Sequence, residues 1–196
     1  REYEELKLGL WKEYEHDRDG YTEQKKAVVE RFTREAKSLY PGRYKRQALR
    51  FARAEPEDTE ALRRLARASE AHWGYDEAFM ENFDAGFNVT EDFIRRNPVY
   101  AAGDCGCPAA FWGIRQDRDA WELEYFYVAE ERLGRGLGKQ MWEHMTGWCG
   151  KQEICRIHFV TSPQAVGFYR KMGAVRDGET RSPVDGRPVP HFVYDV

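Results

Sequence analysis

The sequence predicts a fold of the α/β class (α+β in the stricter sense) behind an N-terminal helical hairpin. Three observations predict it. Residues 1–46 show only the apolar spacing of helices. Residues 47–196 show strand and helix patterns in the order strand, two helices, three strands, helix, strand, helix, two strands. A glycine-rich turn at 134–138 joins a strand to a helix within that series. We therefore expect a helical extension at 1–46 and a seven-stranded domain at 47–196.

The hairpin is predicted as two amphipathic helices. In residues 2–17 the apolar side chains fall on one helical face. Asp19 and Gly20 are expected to end the first helix, and Thr22 is expected to cap the second. A Pro-Gly pair that begins at Pro41 is expected to end the second helix.

The first part of the domain is predicted as one strand and two helical stretches. Alternation of apolar and charged residues from residue 49 predicts the strand. Pro56 to Thr59 is expected to open the first helix. The second helical stretch begins at Asp76 and closes before Pro98, because a proline disfavours helical backbone in the residue before it.

Six further strands complete the predicted domain. Val99–Ala102, Ala109–Arg115 and Ala120–Val128 follow one another with short turns. Ile157–Val160 is predicted after the next helix, and His191–Val196 is predicted as the last of the two C-terminal strands.

The segment from Val128 to Trp142 constrains function most tightly. It reads VAEERLGRGLGKQMW, with three glycines at alternate positions and a helix that begins near Leu137. Such glycines let the backbone approach a ligand and turn successive N–H groups into one concavity. The helix start adds a partial positive charge. The segment therefore predicts an anion site, best suited to a phosphate or diphosphate.

Spacing decides which kind of phosphate loop this is. A P-loop needs a glycine five residues before a Gly-Lys pair and a Ser or Thr after it, but Leu133 and Gln140 occupy those positions. The dinucleotide fingerprint needs a third glycine three places after the second, where the chain has Lys139. Both of these interpretations fail. The alternative without a ligand is a run of glycines that only forms a tight turn.

A second segment, Ile157–Ala174, reads IHFVTSPQAVGFYRKMGA. Ser162 and Pro163 follow its short strand and predict the start of a helix. Gly173 predicts the end of that helix. A third short segment, Gly186–Pro190, precedes the last predicted strand.

Together these segments resemble the acyl-CoA site of the GCN5-related N-acetyltransferase (GNAT) superfamily, small-molecule type, over residues 48–196. The loop from Leu133 to Gly138 is similar to the family's Arg/Gln-x-x-Gly-x-Gly/Ala loop, with leucine at the first position. The second segment resembles the family's N-A-x-x-F-Y-x-K-x-G-F helix, with Gln164 in place of asparagine, and Gly186–Pro190 resembles its G-R-x-L-P tail. The resemblance implies a mixed, mostly antiparallel seven-stranded sheet with helices on both faces. It also implies that strands four and five splay apart to admit a thioester.

The resemblance implies acetyl-CoA as co-substrate, with no metal. The residues expected to bind it lie at the end of the fourth strand, in the glycine loop and at the start of the later helix. They are Phe126, Tyr127, Val128, Leu133, Gly134, Arg135, Gly136, Leu137, Gly138, Lys139, Ser162, Gln164 and Phe168. Arg132 and Arg135 are also expected to meet phosphate oxygens from the flanks of the loop.

Two side chains are the candidates for proton transfer. The attacking amine must be neutral, and the departing thiolate needs a proton. Glu124 matches a strand-four glutamate that some polyamine-type members offer as base, and its apolar neighbours predict a raised pKa. The alternative for Glu124 is a solvated strand carboxylate, and Glu122 on the same face is the reserve candidate. Tyr169 matches the family tyrosine that hydrogen-bonds or protonates the thiolate, the alternative being an ordinary core aromatic.

A group of aromatic residues forms the candidate acceptor site. They are Trp73, Tyr75, Phe79, Phe83 and Phe87. Aromatic faces attract cations, so we expect a small amine such as an amino acid derivative, a polyamine or an antibiotic fragment. The predicted contacts are His72, Trp73, Tyr75 and Glu122. His72 is expected to be a polar contact or an auxiliary base, and a partly exposed helix-end residue is the alternative.

Composition and charge narrow the partners. The chain has 196 residues, 41% of them hydrophobic, without an apolar run near the roughly 20 residues that span a bilayer. Its first residues are charged rather than signal-like, so we expect a cytoplasmic protein with no membrane partner. A net charge of −3 gives no reason to expect a nucleic acid. The four cysteines lack zinc-site spacing and are expected to be reduced thiols, with a metal site or a redox pair as alternatives.

The expected function is an N-acetyltransferase that moves an acetyl group from acetyl-CoA to a small amine directly, in a ternary complex. One alternative is a non-catalytic acyl-CoA-binding sensor or scaffold. Another is a protein or peptide N-acetyltransferase that uses the hairpin for docking, since residues 1–50 hold 13 lysines and arginines against 10 aspartates and glutamates. The hairpin is otherwise expected to pack on the domain or on a second copy of the chain, in a homodimer.

Overall fold

The computed structural model describes residues 2–14, 16–39, 50–104 and 107–196. The chain divides into two compact units, residues 1–48 and residues 49–196. The predicted boundary at 46/47 falls outside the described residues, and so does the predicted helix end at Pro41. The candidate site lies entirely in the second unit.

The first unit contains helices α1 (Glu2–Glu13) and α2 (Arg18–Leu39). The expected break at Asp19 and Gly20 is wrong, because both residues lie inside α2. The reason is local capping. The Asp17 carboxylate accepts a hydrogen bond from the Gly20 backbone N–H at 2.9 Å, which starts the helix before the Asp-Gly pair rather than at Thr22.

Three helices follow strand β1 (Phe51–Arg53): α3 (Thr59–Ala71), α4 (Glu77–Gly86) and α5 (Glu91–Arg96). The second predicted stretch is therefore two helices. Each has its own cap: the Asp76 side chain accepts a hydrogen bond from the Phe79 N–H at 2.8 Å, and Thr90 accepts one from Phe93 at 3.1 Å.

The remaining elements alternate as the sequence predicts. They are β2 (Val99–Asp104), β3 (Cys107–Asp117), β4 (Ala120–Val128), α6 (Leu137–Lys151), β5 (Arg156–Val160), α7 (Val166–Lys171), β6 (Val175–Arg181) and β7 (Pro188–Asp195). Within the described residues, no helix combines the length and apolar character that crossing a membrane requires.

The seven strands form one mixed sheet in the order β1-β2-β3-β4-β5-β7-β6. All neighbouring pairs are antiparallel except β4 and β5. One buried cluster packs α6 and α7 on one face of the sheet, and a second packs α3, α4 and α5 on the other. The predicted mostly antiparallel sheet with helices on both faces is confirmed.

The parallel pair β4 and β5 is joined at one end only. Its paired residues are Trp121 with Ile157 and Glu122 with His158. Beyond Glu122 the two strands have no pairing, so the sheet opens between them. The predicted splay of strands four and five is therefore present, and it positions the candidate site.

Candidate active site

The gap between β4 and β5 leads into a cavity of about 650 Å³. The glycine loop lines one part of it, α3 and α4 line another, and the turn between β6 and β7 closes a third side. Most of the predicted site residues line this cavity: Trp73, Tyr75, Glu124, Phe126, Tyr127, Val128, Leu133, Gly134, Gly136, Gly138, Lys139, Ser162, Gln164, Phe168 and Tyr169. Four predicted residues are not among its lining: His72, Glu122, Arg135 and Leu137.

The glycine loop has the backbone that its sequence requires. Gly134 and Gly136 have φ angles of +68° and +83°, in the left-handed region that disfavours side chains. A Cβ at Gly138 would lie 3.2 Å from the Phe168 ring, so the third glycine lets α6 approach α7 closely. Two glycines thus shape the turn and the third permits packing.

The loop presents unpaired backbone amides. Within this segment the Leu133 amide donates to Glu130 and the Gln140 amide donates to Gly136. Among the described residues, no hydrogen bond is recorded for the amides of Gly134 and Gly136 or for the first three helical amides of α6. These groups lie where an anion of an incoming ligand would be held.

Charged residues flank the loop unequally. Arg132 and Lys139 line the cavity, whereas the Arg135 side chain is exposed outside it. Lys139 also lies 3.6 Å from Glu143 on the surface of α6. Leu137 is only 4% exposed and belongs to the core under the loop, which leaves only its backbone to meet a ligand.

Glu124 occupies an irregular position in β4. Gly113 and Ile114 of β3 face Tyr125 and Leu123, so Glu124 is the extra residue of a β-bulge. The bulge shifts the alternation: Leu123 packs toward α6, while Tyr125 packs toward α3 and α5. Glu124 lines the cavity, and this irregularity changes the direction of its side chain relative to regular alternation.

The charge of Glu124 is set by burial and by one arginine. Burial raises the pKa of Glu124, the adjacent Arg115 guanidinium opposes the shift, and Glu122 adds to it. Arg115 lies 3.0 Å from the Glu124 carboxylate and 2.7 Å from that of Glu122. The two glutamates therefore share one counter-ion, but only Glu124 borders the cavity.

Tyr169 is 6% exposed and lies against the rings of Phe126 and Phe159. Burial raises the pKa of its hydroxyl, and an interaction with the Thr161 side chain partly opposes the shift. The phenol therefore keeps its proton at neutral pH. A protonated hydroxyl at the cavity wall is able to donate to an anion such as a thiolate.

The aromatic residues of the predicted acceptor site line the cavity from α4 and the turn before it. The rings of Tyr75 and Phe79 lie 4.1 Å apart, and Phe83 meets Tyr127 edge-on. His72 does not join them. Its Nδ1 atom lies 3.2 Å from Glu130, just before the glycine loop.

Two charged residues of the cavity were not predicted as site residues. Glu70 on α3 accepts a hydrogen bond from the Tyr127 hydroxyl at 3.1 Å. Burial raises its pKa, while Tyr127 and Arg187 act in the opposite direction. Arg187 lies over the rings of Tyr75 and Phe79, at 4.4 and 5.0 Å from their centroids. The G-R-x-L-P-like segment contains this arginine, but no sequence signal connects it with α4.

The site combines three chemical environments. Unpaired amides and two basic side chains suit a phosphate, a protonated phenol suits a leaving anion, and aromatic walls with half-buried carboxylates suit an amine. The gap between β4 and β5 joins the three. Such an arrangement is able to bring an activated acyl group and an amine together.

Residues 59–174 match the acetyltransferase (GNAT) family. The match spans more than half of the chain, which therefore belongs to this family and is an acyltransferase of the EC 2.3.1 type. None of the curated protein sequences compared with the chain matches it.

Solved structures share the fold. The PaiA N-acetyltransferase from Thermoplasma acidophilum, in complex with coenzyme A, is 19% identical with a TM-score of 0.60 and covers 76% of this chain and 99% of its own. The ribosomal-protein-S18-alanine N-acetyltransferase from Escherichia coli is 16% identical with a TM-score of 0.57. The alignment covers 75% of this chain and 93% of that protein. An aminoglycoside 6′-N-acetyltransferase complexed with coenzyme A is 14% identical with a TM-score of 0.57. The alignment covers 75% of this chain and 97% of that protein. At these identities the likeness describes the fold.

Proposed function

We propose that this chain transfers an acetyl group from acetyl-CoA to the amine of a small molecule, directly and in a ternary complex. Coenzyme A in two of the fold relatives supports the donor. The observation that carries the proposal is one continuous cavity that reaches from the glycine loop, through the gap between β4 and β5, to the aromatic residues of α4.

The donor end of the cavity fits a diphosphate. The amides of Gly134 and Gly136 face no internal partner, and Arg132 and Lys139 supply positive charge beside them. Acetyl-CoA, when bound, supplies the activated thioester. Ser162, Gln164 and Phe168 at the start of the α7 segment line the same region and would border its pantetheine arm.

Glu124 is proposed as the base for the amine. Because burial raises its pKa, its carboxylate holds a proton more readily than an ordinary glutamate. The Arg115 guanidinium opposes that shift and favours the ionised form, which is the form that accepts a proton. The proton is proposed to reach Glu124 from the amine, directly or through a water molecule.

Tyr169 is proposed as the donor to the departing thiolate. Its hydroxyl keeps its proton at neutral pH and lies at the cavity wall beside Phe126. The backbone N–H groups of β4 near Phe126 to Val128 are proposed to stabilise the oxyanion that forms during attack. No residue of the chain needs to be acylated, since the two bound substrates react once they are held together.

Matched pairs of variants test these roles. Glu124→Gln should lower kcat/KM for amine acetylation by about 10²-fold or more, the usual range for a general base. Glu122→Gln changes the other carboxylate that contacts Arg115, which does not line the cavity. It should therefore lower kcat/KM much less. Tyr169→Phe should lower kcat by at least about tenfold, whereas Tyr100→Phe, a change in the cluster of Trp112 and His144, should not.

The assay measures coenzyme A release against a panel of amines, with acetyl-CoA binding followed separately by thermal shift. Acetyl-CoA binding without turnover on any amine would favour the sensor alternative. Equal activity of the Glu124→Gln and wild-type proteins would remove this glutamate from the mechanism.

A further inference from the structure

The acceptor end of the cavity contains opposite charges held apart. Glu70 and Arg187 both line it, and the charge of Arg187 acts to lower the pKa of Glu70. Among the described residues no ion pair joins them, and the ion pair that Arg187 forms is with Asp185. Space therefore remains between a carboxylate on α3 and a guanidinium on the turn between β6 and β7.

The turn that carries Arg187 is folded by its own hydrogen bonds. The Ser182 amide donates to the Arg187 carbonyl at 2.7 Å, and the Gly186 amide donates to the Ser182 carbonyl at 2.8 Å. The Arg181 guanidinium donates to the Gly186 carbonyl at 3.0 Å. These bonds use the backbone of Arg187 only, and they fix the position from which its side chain enters the cavity.

The Arg187 guanidinium is oriented from two sides. The rings of Tyr75 and Phe79 lie beneath it, and Asp185 lies 3.3 Å from its Nε atom. Among the described residues, neither of its Nη groups has a recorded hydrogen bond. A guanidinium with two free Nη donors in one plane matches a carboxylate in the bidentate arrangement.

A second polar group at the same place lacks a partner. The Tyr75 hydroxyl is buried without a hydrogen bond from any described residue. Buried polar groups in folded proteins are nearly always paired. Tyr75 lines the cavity directly below Arg187. The buried Tyr75 hydroxyl beside the Arg187 guanidinium therefore lacks a hydrogen-bond partner that a polar group of the ligand would supply.

We infer that the acceptor amine also bears a carboxylate, which Arg187 and Tyr75 bind while Glu70 and Glu124 lie on the side that receives the amine. The acceptor is then an amino-acid-type zwitterion whose apolar part contacts the aromatic walls of α4. This inference rests on the proposed acetyl transfer and names the class of its acceptor.

Matched acceptors test the inference. Each amino acid is compared with the amine that lacks its carboxylate: phenylalanine with phenethylamine, tryptophan with tryptamine, and lysine with cadaverine. The wild-type protein should acetylate at least one acid with a kcat/KM at least tenfold above that of its partner amine. A bidentate charged hydrogen bond accounts for a preference of about 10- to 100-fold.

Variants assign that preference to the two residues. Arg187→Met should lower the ratio of kcat/KM for the amino acid to kcat/KM for the carboxylate-free amine by about 10- to 100-fold. Arg187→Lys, which retains charge without the planar fork, should lose an intermediate amount. Tyr75→Phe should lower kcat/KM for the amino acid more than kcat/KM for the carboxylate-free amine. Arg176→Met on the exposed start of β6 is the matched control and should change neither substrate.

Each possible result with the matched acceptors either supports or overturns the binding of a carboxylate by Arg187. A parallel loss for acid and amine in Arg187→Met, a preference for the carboxylate-free amines, or no acetylation of any acid overturns the inference. If Arg187→Met does not fold, the ratio of kcat/KM for the amino acid to kcat/KM for its partner amine is measured in Arg187→Lys instead. Acetylation of carboxylate-free amines alone would leave the proposed function standing, whereas no acetylation and no stabilisation by acetyl-CoA would overturn both.

Discussion

Gly136 should be required both for the conformation of the glycine loop and for the binding of acetyl-CoA. Its φ of +83° lies in the left-handed region, where an L side chain costs about 1–2 kcal/mol. For a domain of roughly 150 residues, each kcal/mol shifts Tm by about 2–4 °C. Gly136→Ala should therefore lower Tm by about 2–8 °C.

The same change should impair acetyl-CoA binding. If the strained residue moves one amide away from the diphosphate, a charged hydrogen bond of about 1.5–3 kcal/mol is lost, which weakens Kd by about 10- to 150-fold. Differential scanning fluorimetry with and without acetyl-CoA measures both effects. At 100 times its Kd, a ligand adds about 2.7 kcal/mol of stability to the wild-type protein.

Gly147→Ala is the matched control. Gly147 lies in the same helix α6, and a Cβ there would meet no atom within 4 Å. Alanine in a helix interior is more favourable than glycine by about 0.5–1 kcal/mol, so Tm should rise slightly and the acetyl-CoA shift should be unchanged. A Gly136→Ala protein with wild-type Tm and a full acetyl-CoA shift would refute the diphosphate role of this loop.

Two further predictions concern a half-buried carboxylate and a buried thiol. Since burial raises the pKa of Glu70, its contribution to stability is present below the ordinary glutamate pKa and is lost as pH rises through the raised value. Glu70→Gln should accordingly raise Tm relative to wild type at pH 8 and change it little at pH 4. An equal effect at both pH values would contradict this prediction. The same pH pattern in the exposed control variant Glu60→Gln would also contradict it. Burial raises the pKa of Cys149 to about 11, so iodoacetamide at pH 8 should modify the exposed Cys107 and Cys155 in the native protein and reach Cys149 only after unfolding. Mass spectrometry that finds all three modified at one rate would show that Cys149 is accessible.

Strong local patterns predicted their elements closely. An apolar, aromatic run between short turns placed β4 at Ala120–Val128, the bounds that the structure has. The glycine loop and the start of α6 at Leu137 also follow the prediction, because positive φ and helix initiation are properties of a few adjacent residues. The error at Asp19 and Gly20 arose where two local signals competed and the Asp17 cap prevailed.

The acceptor chemistry could not be predicted in the same way. Glu70 and Tyr127 are 57 positions apart in the chain, and nothing in either segment indicates their hydrogen bond. The bulge at Glu124 depends on how β3 and β4 pair, and a strand pattern alone places this residue in regular alternation.

The sequence by itself determined the order of elements, the glycine loop and the aromatic and acidic residue types around it, since these depend on periodicity and backbone preference over short spans. Only the tertiary structure decided which of them meet. It brought Arg187 over Tyr75 and placed Glu70 in the cavity, while His72 was left beside Glu130. The physical reason is that contacts between distant segments follow from packing of the whole sheet and its helices, which no single segment encodes.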